Sequence, residues 1–124
     1  MVEPPGEAQA LKNKMWGMNY YVMFRVMLDP GLMPEILARH LQWLIDLEKR
    51  NLVFASGPLF DLSEKQAGGM TVFRTKTGKE AEELAAADPL VSSGAMDFEI
   101  QRWQINEGRI NVSVDFSDQT FTVS

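Results

Sequence analysis

Apolar and polar positions follow two different periods along this chain. From Tyr20 to Leu28 the period is two: Tyr20, Val22, Phe24, Val26 and Leu28 make one apolar face. Tyr21, Met23 and Met27 make the other face, interrupted by Arg25. A strand apolar on both sides belongs to a sheet covered on both sides. Asp29-Pro30-Gly31 is turn chemistry, and beyond it the period lengthens to that of a helix running from Pro34 to about Arg50. At ~100° per residue, Met33, Ile36, Leu37, His40, Leu44 and Leu47 fall within an arc of roughly 100°. Glu35, Arg39, Gln42, Asp46 and Lys49 take the opposite side. His40 therefore lies near the middle of an apolar stripe, where an imidazole left without a partner costs on the order of 1–3 kcal/mol.

Further along, Asn51 suits a left-handed helix cap, and Leu52 to Ser56 reads as the second strand. Residues 59–68 read as a polar loop, and Gly69 to Thr75 as the third strand. Thr77-Gly78 leads into a second helix, Lys79 to Ala87, which stops before Pro89. Asp88-Pro89-Leu90-Val91 starts a short extra turn ending near Gly94. Met96 to Ile105 is the fourth strand, and its alternation slips between Ile100 and Trp103, which suggests a bulge. Ile110, Val112, Val114 and Phe116 then alternate with polar residues, and Ser117-Asp118 turns the chain into Thr120 to Val123. The order β-α-β-β-α-β is the split βαβ, or ferredoxin-like, α+β pattern, followed by an extra C-terminal strand or hairpin.

In that pattern both helices cover one sheet face. The other face, also apolar here, is expected to pair with the sheet of a second copy; an N-terminal arm or the tail covering it is the competing arrangement. The expected organisation is a flexible arm over residues 1–19, the α+β domain over 20–105 and a strand or hairpin tail over 106–124.

Composition removes several classes of function. A net charge of −5 over 124 residues argues against a nucleic-acid groove or an anionic membrane surface. There is no cysteine and one histidine, so disulfides, thiolate zinc sites and multi-histidine metal sites within one subunit are excluded. No apolar run approaches the ~20 residues of a membrane span, and the N-terminal segment lacks a signal-peptide core. The expectation is a cytoplasmic protein acting on a small molecule, with no metal or organic cofactor.

Asp88 continues the apolar side formed by Ala81, Leu84 and Ala85 on the second helix, so His40 and Asp88 point from their helices toward the same sheet face. The two are expected within hydrogen-bond reach, directly or through one water. A histidine held by a carboxylate suits acid–base chemistry near neutral pH. Asp88 before Pro89 is also a good helix N-cap with proline at the first helical position, and both readings stand at this point. Ser56-Gly57-Pro58 likewise has two readings: a hydroxyl and bare backbone that meet a substrate, or residues that end a strand. Gly68-Gly69 is either the hinge of a lid or a tight entry into a strand. Tyr20, Tyr21 and Trp103 are the aromatic residues able to line a pocket for a flat ligand.

His40-Leu41, Leu47, Ser56-Gly57-Pro58, Ala87-Asp88-Pro89 and Gly94, with a final strand closing at Trp103, resemble in this order and spacing the YCII-related (YciI-like) family. The resemblance spans roughly residues 20–105. It implies a ferredoxin-like fold, a dimeric α+β barrel, and a cleft whose histidine–aspartate pair matches His40 and Asp88. Chemistry in the family includes dehydrochlorination of chlorinated hydroxyquinols. Leu90 stands where the family often has an aromatic residue after Asp-Pro. The expected function is elimination or isomerisation of a small cyclic or aromatic acid or phenol, in the manner of a lyase or isomerase. His40 would move the proton, Asp88 would orient it, and Ser56, Gly57 and Pro58 would meet the substrate. The alternative is a non-catalytic ligand-binding or assembly module of the same fold; a cofactor-free monooxygenase is a third reading, by architecture alone.

Overall fold

The structure, a computed structural model, describes residues 5–123. In chain order its elements are α1 (Pro5–Lys12), β1 (Met18–Met27), a 3-10 turn (Pro30–Leu32), α2 (Met33–Lys49), β2 (Val53–Phe60), β3 (Gln66–Phe73), α3 (Gly78–Ala86), α4 (Pro89–Ser92), β4 (Met96–Ile105), β5 (Val112–Asp115) and β6 (Thr120–Val123). The chain divides into two compact units. One is the body, Asn19–Trp103; the other combines the two chain ends, up to Met18 and from Gln104 onward.

In the body, four strands form one sheet in the order β2-β3-β1-β4. β3 runs antiparallel to both β1 and β2, which is the split βαβ arrangement that the strand and helix order predicts. The odd positions of β1 face the helices. Met23 joins Leu47, Phe73, Ala81 and Ala85 in one buried cluster, and Ile36, Leu90, Ala95 and Met96 form a second. Ala81 and Ala85, four residues apart on α3 and fully buried, present so little side chain that the helix can lie close on the sheet. Thr77 caps that helix by accepting a hydrogen bond from the Glu80 amide.

Both breaks in the helical pattern have the backbone their sequence called for. Asn51 follows α2 at φ 62°, and Gly94 follows α4 at φ 87°. Elsewhere the chain departs from expectation. Ser56, Gly57 and Pro58 do not end the second strand: β2 runs through them to Phe60 and pairs with β3 along the way. Because β2 is an edge strand, Pro58 forfeits no ladder bond on its outer side. The polar loop contracts to the turn around Asp61, whose Oδ1 accepts from the amides of Ser63 and Lys65. β2 and β3 are therefore one hairpin.

The unit built from the chain ends contains α1 and the β5–β6 hairpin, which gives the tail the hairpin form of its two expected alternatives. Residues 5–12, expected within a flexible arm, are helical, with Glu7 in the first turn and Lys12 in the last. Both charges favour the helix dipole, and residues 1–4 of that arm lie outside the described residues. Among the described residues no helix is long and apolar enough to cross a membrane.

Gly68, the third residue of β3, has φ 124°, and a Cβ there would collide with the backbone carbonyl oxygen of Arg25 on β1. This glycine is required by the close approach of two strands, and because β3 begins at Gln66 it lies inside the strand, neither at the strand entry nor at the lid hinge that the sequence suggested. Gly68→Ala is expected to lower stability by about 1–3 kcal/mol, measured as a shift in the urea midpoint, whereas Gly57→Ala, which meets nothing within 4 Å, is expected to change it far less.

Candidate functional site

Five polar side chains from five different elements meet beneath the helices. His40 comes from the third turn of α2 and Asp88 from the cap of α4. Arg25 comes from β1, Thr71 from β3 and Ser56 from β2. His40 Nδ1 lies 2.7 Å from Asp88 Oδ1. Arg25 Nε donates to Asp88 Oδ2 at 2.7 Å, and Arg25 Nη1 donates to Thr71 Oγ1 at 2.8 Å. Thr71 Oγ1 in turn lies 2.7 Å from Ser56 Oγ. Asp88 and Thr71 are fully buried, and Arg25 and His40 keep only 4% and 7% of their surface exposed.

Asp88 makes both of the contacts expected of it at once. Its Oδ1 caps α4 by accepting from the Leu90 amide at 2.9 Å and also meets His40. Both carboxylate oxygens are thus occupied by donors. An ionised carboxylate only accepts, so His40 Nδ1 carries the hydrogen and Nε2 is left for a ligand, as acceptor when the ring is neutral. Burial pushes the Asp88 carboxyl pKa up, but the His40 hydrogen bond and the Arg25 charge outweigh it. The net result holds Asp88 below the ordinary carboxylate value. Trp43 stacks on the His40 ring at 6.1 Å between centroids and meets Phe73 edge-on.

His40, but not the fully buried Asp88, opens on a cavity of about 820 Å³, within the ~300–1,000 Å³ of ordinary small-molecule sites. His40 and Arg25 line it, and Ser56, Gly57 and Pro58 of β2 form part of its wall. Gly68 and Gly69 line it as well. Leu37, Leu41, Leu44 and Ile45 of α2 supply an apolar wall, with Glu48 and Arg74 also present. Of the arc assigned to the core from the helical period, only Ile36, His40 and Leu47 are buried. Leu37 is 41% exposed and, with Leu44, faces the cavity. The helix has two apolar flanks: one packs, the other lines a site.

Trp103 lies elsewhere, in a smaller pocket of about 290 Å³ with Val22, Phe24 and Met70 on the opposite sheet face. Neither Tyr20 nor Tyr21 lines the larger cavity; Tyr20 packs against Phe54 and Tyr21 against the α3 start. Among the described residues, no three His, Cys, Asp or Glu side chains gather into a metal-binding set. Arg25 and Thr71 were not singled out as site residues by the sequence. The signal for Arg25 was present as the one charged break in the inner face of β1. Thr71 gave none, since threonine is an ordinary strand residue.

Residues 30–104 match the family model described as the YCII-related domain. An uncharacterised protein of Bacillus subtilis (strain 168), YjpA, is 32% identical over 73 residues, covering 59% of this chain and 81% of that one. Among solved structures, 5-chloro-2-hydroxyhydroquinone dehydrochlorinase (TftG) from Burkholderia phenoliruptrix AC1100, in complex with 2,5-dihydroxybenzoquinone, superposes with a TM-score of 0.57 at 19% identity. The match covers 69% of this chain and 93% of that one.

Removing Asp88 leaves three buried donors, His40 Nδ1, Arg25 Nε and the Leu90 amide, uncompensated, so Asp88→Ala is expected to cost about 3–5 kcal/mol. Because its folded pKa is depressed, Asp88 contributes stability that is full above the unfolded value of ~3.9 and is lost as pH falls through the folded one. Urea unfolding of wild type and Asp88→Asn from pH 7 downward is expected to show a gap that narrows only on the acid side of about pH 4.

Proposed function

The chain belongs to the YCII-related domain family, and on that premise we propose that it is a small-molecule enzyme using His40 as its acid–base group. The proposed substrate is a small cyclic or aromatic acid or phenol, and the proposed reaction an elimination or isomerisation. The observation that carries this reading is the orientation of His40: Nδ1 is tied to a buried carboxylate while the ring lines an open cavity. A histidine sealed in the core and satisfied by backbone would have favoured the assembly module instead.

In the proposed step, His40 Nε2 takes a proton from the substrate and the ring becomes imidazolium. Asp88 stabilises that charge through the Nδ1 hydrogen bond and keeps the ring in the right tautomer. The electron pair released moves into the substrate. It either expels a leaving group, giving elimination, or is quenched when the same imidazolium returns the proton to another position, giving isomerisation. Ser56 and the backbone at Gly57 and Pro58 are proposed to hold a substrate oxygen. These steps need no cofactor. The structural neighbour is named for a dehydrochlorination and was seen with a hydroxylated quinone, which supports a hydroxylated ring as the first substrate class to test, by analogy of fold.

A homodimer formed through the open sheet face is part of the proposal. Phe24 and Met70 are only partly buried on that face, and Val26 and Trp103 are 56% and 43% exposed. Light scattering at low micromolar concentration is expected to give at least a dimer, and a compact monomer would remove this part of the reading.

The single histidine makes the functional test direct. Hydroxylated aromatic acids and phenols, screened by NMR, are expected to shift the imidazole resonances. For a compound that is turned over, His40→Gln is expected to reduce kcat by roughly 10²–10⁴. If no compound of these classes perturbs the imidazole, the enzyme reading is lost and the assembly module takes its place.

A further inference from the structure

We infer that Thr71 is a positioning residue that commits the Ser56 hydroxyl to donate into the cavity, so that the site favours the ionised, oxyanion form of a phenol- or enol-type ligand. The inference rests on the reading of the cavity as a proton-transfer site and extends it to the charge the substrate carries.

The direction of the hydrogen bonds follows from donor counting. A guanidinium has no acceptor, so Arg25 Nη1 must donate to Thr71 Oγ1. Thr71 is fully buried, and the oxygen within reach of its own hydroxyl hydrogen is Ser56 Oγ, 2.7 Å away. Were Ser56 the donor in that contact, the Thr71 hydrogen would be buried without an acceptor. The consistent order is therefore Arg25 to Thr71 to Ser56, with each hydroxyl polarised by the one before it and the first by a cation. The Ser56 hydrogen is left at the open end. Within the protein it reaches the Met70 carbonyl at 3.2 Å, longer than the ~2.7–2.8 Å of a good hydroxyl bond. A ligand oxygen in the cavity that Ser56 lines can take that hydrogen at better distance.

Arg25 thus starts two arms. Through Nε and Asp88 it ends at His40; through Nη1 and Thr71 it ends at Ser56. One arm presents a base and the other a donor to the same cavity. Deprotonating an acidic O–H or C–H needs both, the base to take the proton and the donor to hold the charge left on oxygen. The Nη2 atom of the same guanidinium is buried and has no hydrogen-bond partner among the described residues.

The test uses 4-nitrocatechol, whose absorbance reports its ionisation while it is bound. Wild type is expected to bind the ionised form with a roughly tenfold preference, seen as an apparent pKa lowered by about one unit. Thr71→Val is expected to abolish most of that shift and weaken binding of the ionised probe about tenfold, while Thr71→Ser restores both. The imidazole resonances of the free Thr71→Val protein are expected to stay those of wild type, since the other arm is intact. Ser56→Ala removes the exposed end of the same arm and is expected to give the same loss, which keeps the test decisive if Thr71→Val fails to fold. Wild-type ionisation of the probe in Ser56→Ala, or in a folded Thr71→Val, overturns the relay and leaves the proton-transfer reading standing. A probe that leaves the imidazole of wild type unperturbed at millimolar concentration overturns both.

Discussion

The rest of the body is arranged around one buried ion pair. Arg25 and Asp88 meet at 2.7 Å with side chains 3% and 0% exposed, and taking either charge out of water alone costs several kcal/mol. Such a pair is weak evidence of stability in itself, because attraction only repays desolvation when the remaining lone pairs and hydrogens are also satisfied. Here they nearly are. Asp88 has His40 and the Leu90 amide on one oxygen and Arg25 on the other. That arrangement ties β1 to the start of α4 and α4 to α2, three elements far apart in sequence.

The same constraint explains why α2 carries more apolar residues than a core face needs. From Trp43 and Ile36 round to Leu41 and Ile45 its apolar sector spans about 200°. The first half packs on the sheet with His40 at its edge. The second half faces the cavity, where it lowers the local dielectric around polar groups that would be weak in water. A helix amphipathic in the simple sense would have buried His40 or exposed it. This one sets it at the seam between core and site.

What the sequence made legible was local and periodic. The phase of α2 put His40 inward, the phase of α3 carried Asp88 the same way, and four residues or fewer sufficed to read the Asn51 and Gly94 turns. Strand order followed from element order. What it hid was set by topology. Gly57 and Pro58 are strand breakers by their neighbours, yet they continue β2 because that strand lies at the edge of the sheet, a fact no local window contains. Arg25 was visible as an interruption of an apolar face, but a period of two says only in or out. It does not say that the inward charge meets an aspartate 63 residues later. Thr71 was hidden most completely, since its use depends on its neighbours in space and not on its own chemistry.

The geometry also accounts for arginine rather than lysine at position 25. Two oxygens, Asp88 Oδ2 and Thr71 Oγ1, must receive hydrogen bonds at 2.7 and 2.8 Å from one cation carried on β1. A planar guanidinium presents separate N–H groups in a fixed fork and stays ionised when buried. An ammonium gathers its donors at one point, is more strongly hydrated, and gives up its proton more readily when desolvated. Lysine at this position would have to choose between the two arms, and a neutral lysine would leave Asp88 as an unpaired buried charge. The shape of the cation is therefore what joins the base at His40 to the donor at Ser56. The close approach of Gly68 to the Arg25 backbone holds that cation's strand in register with both.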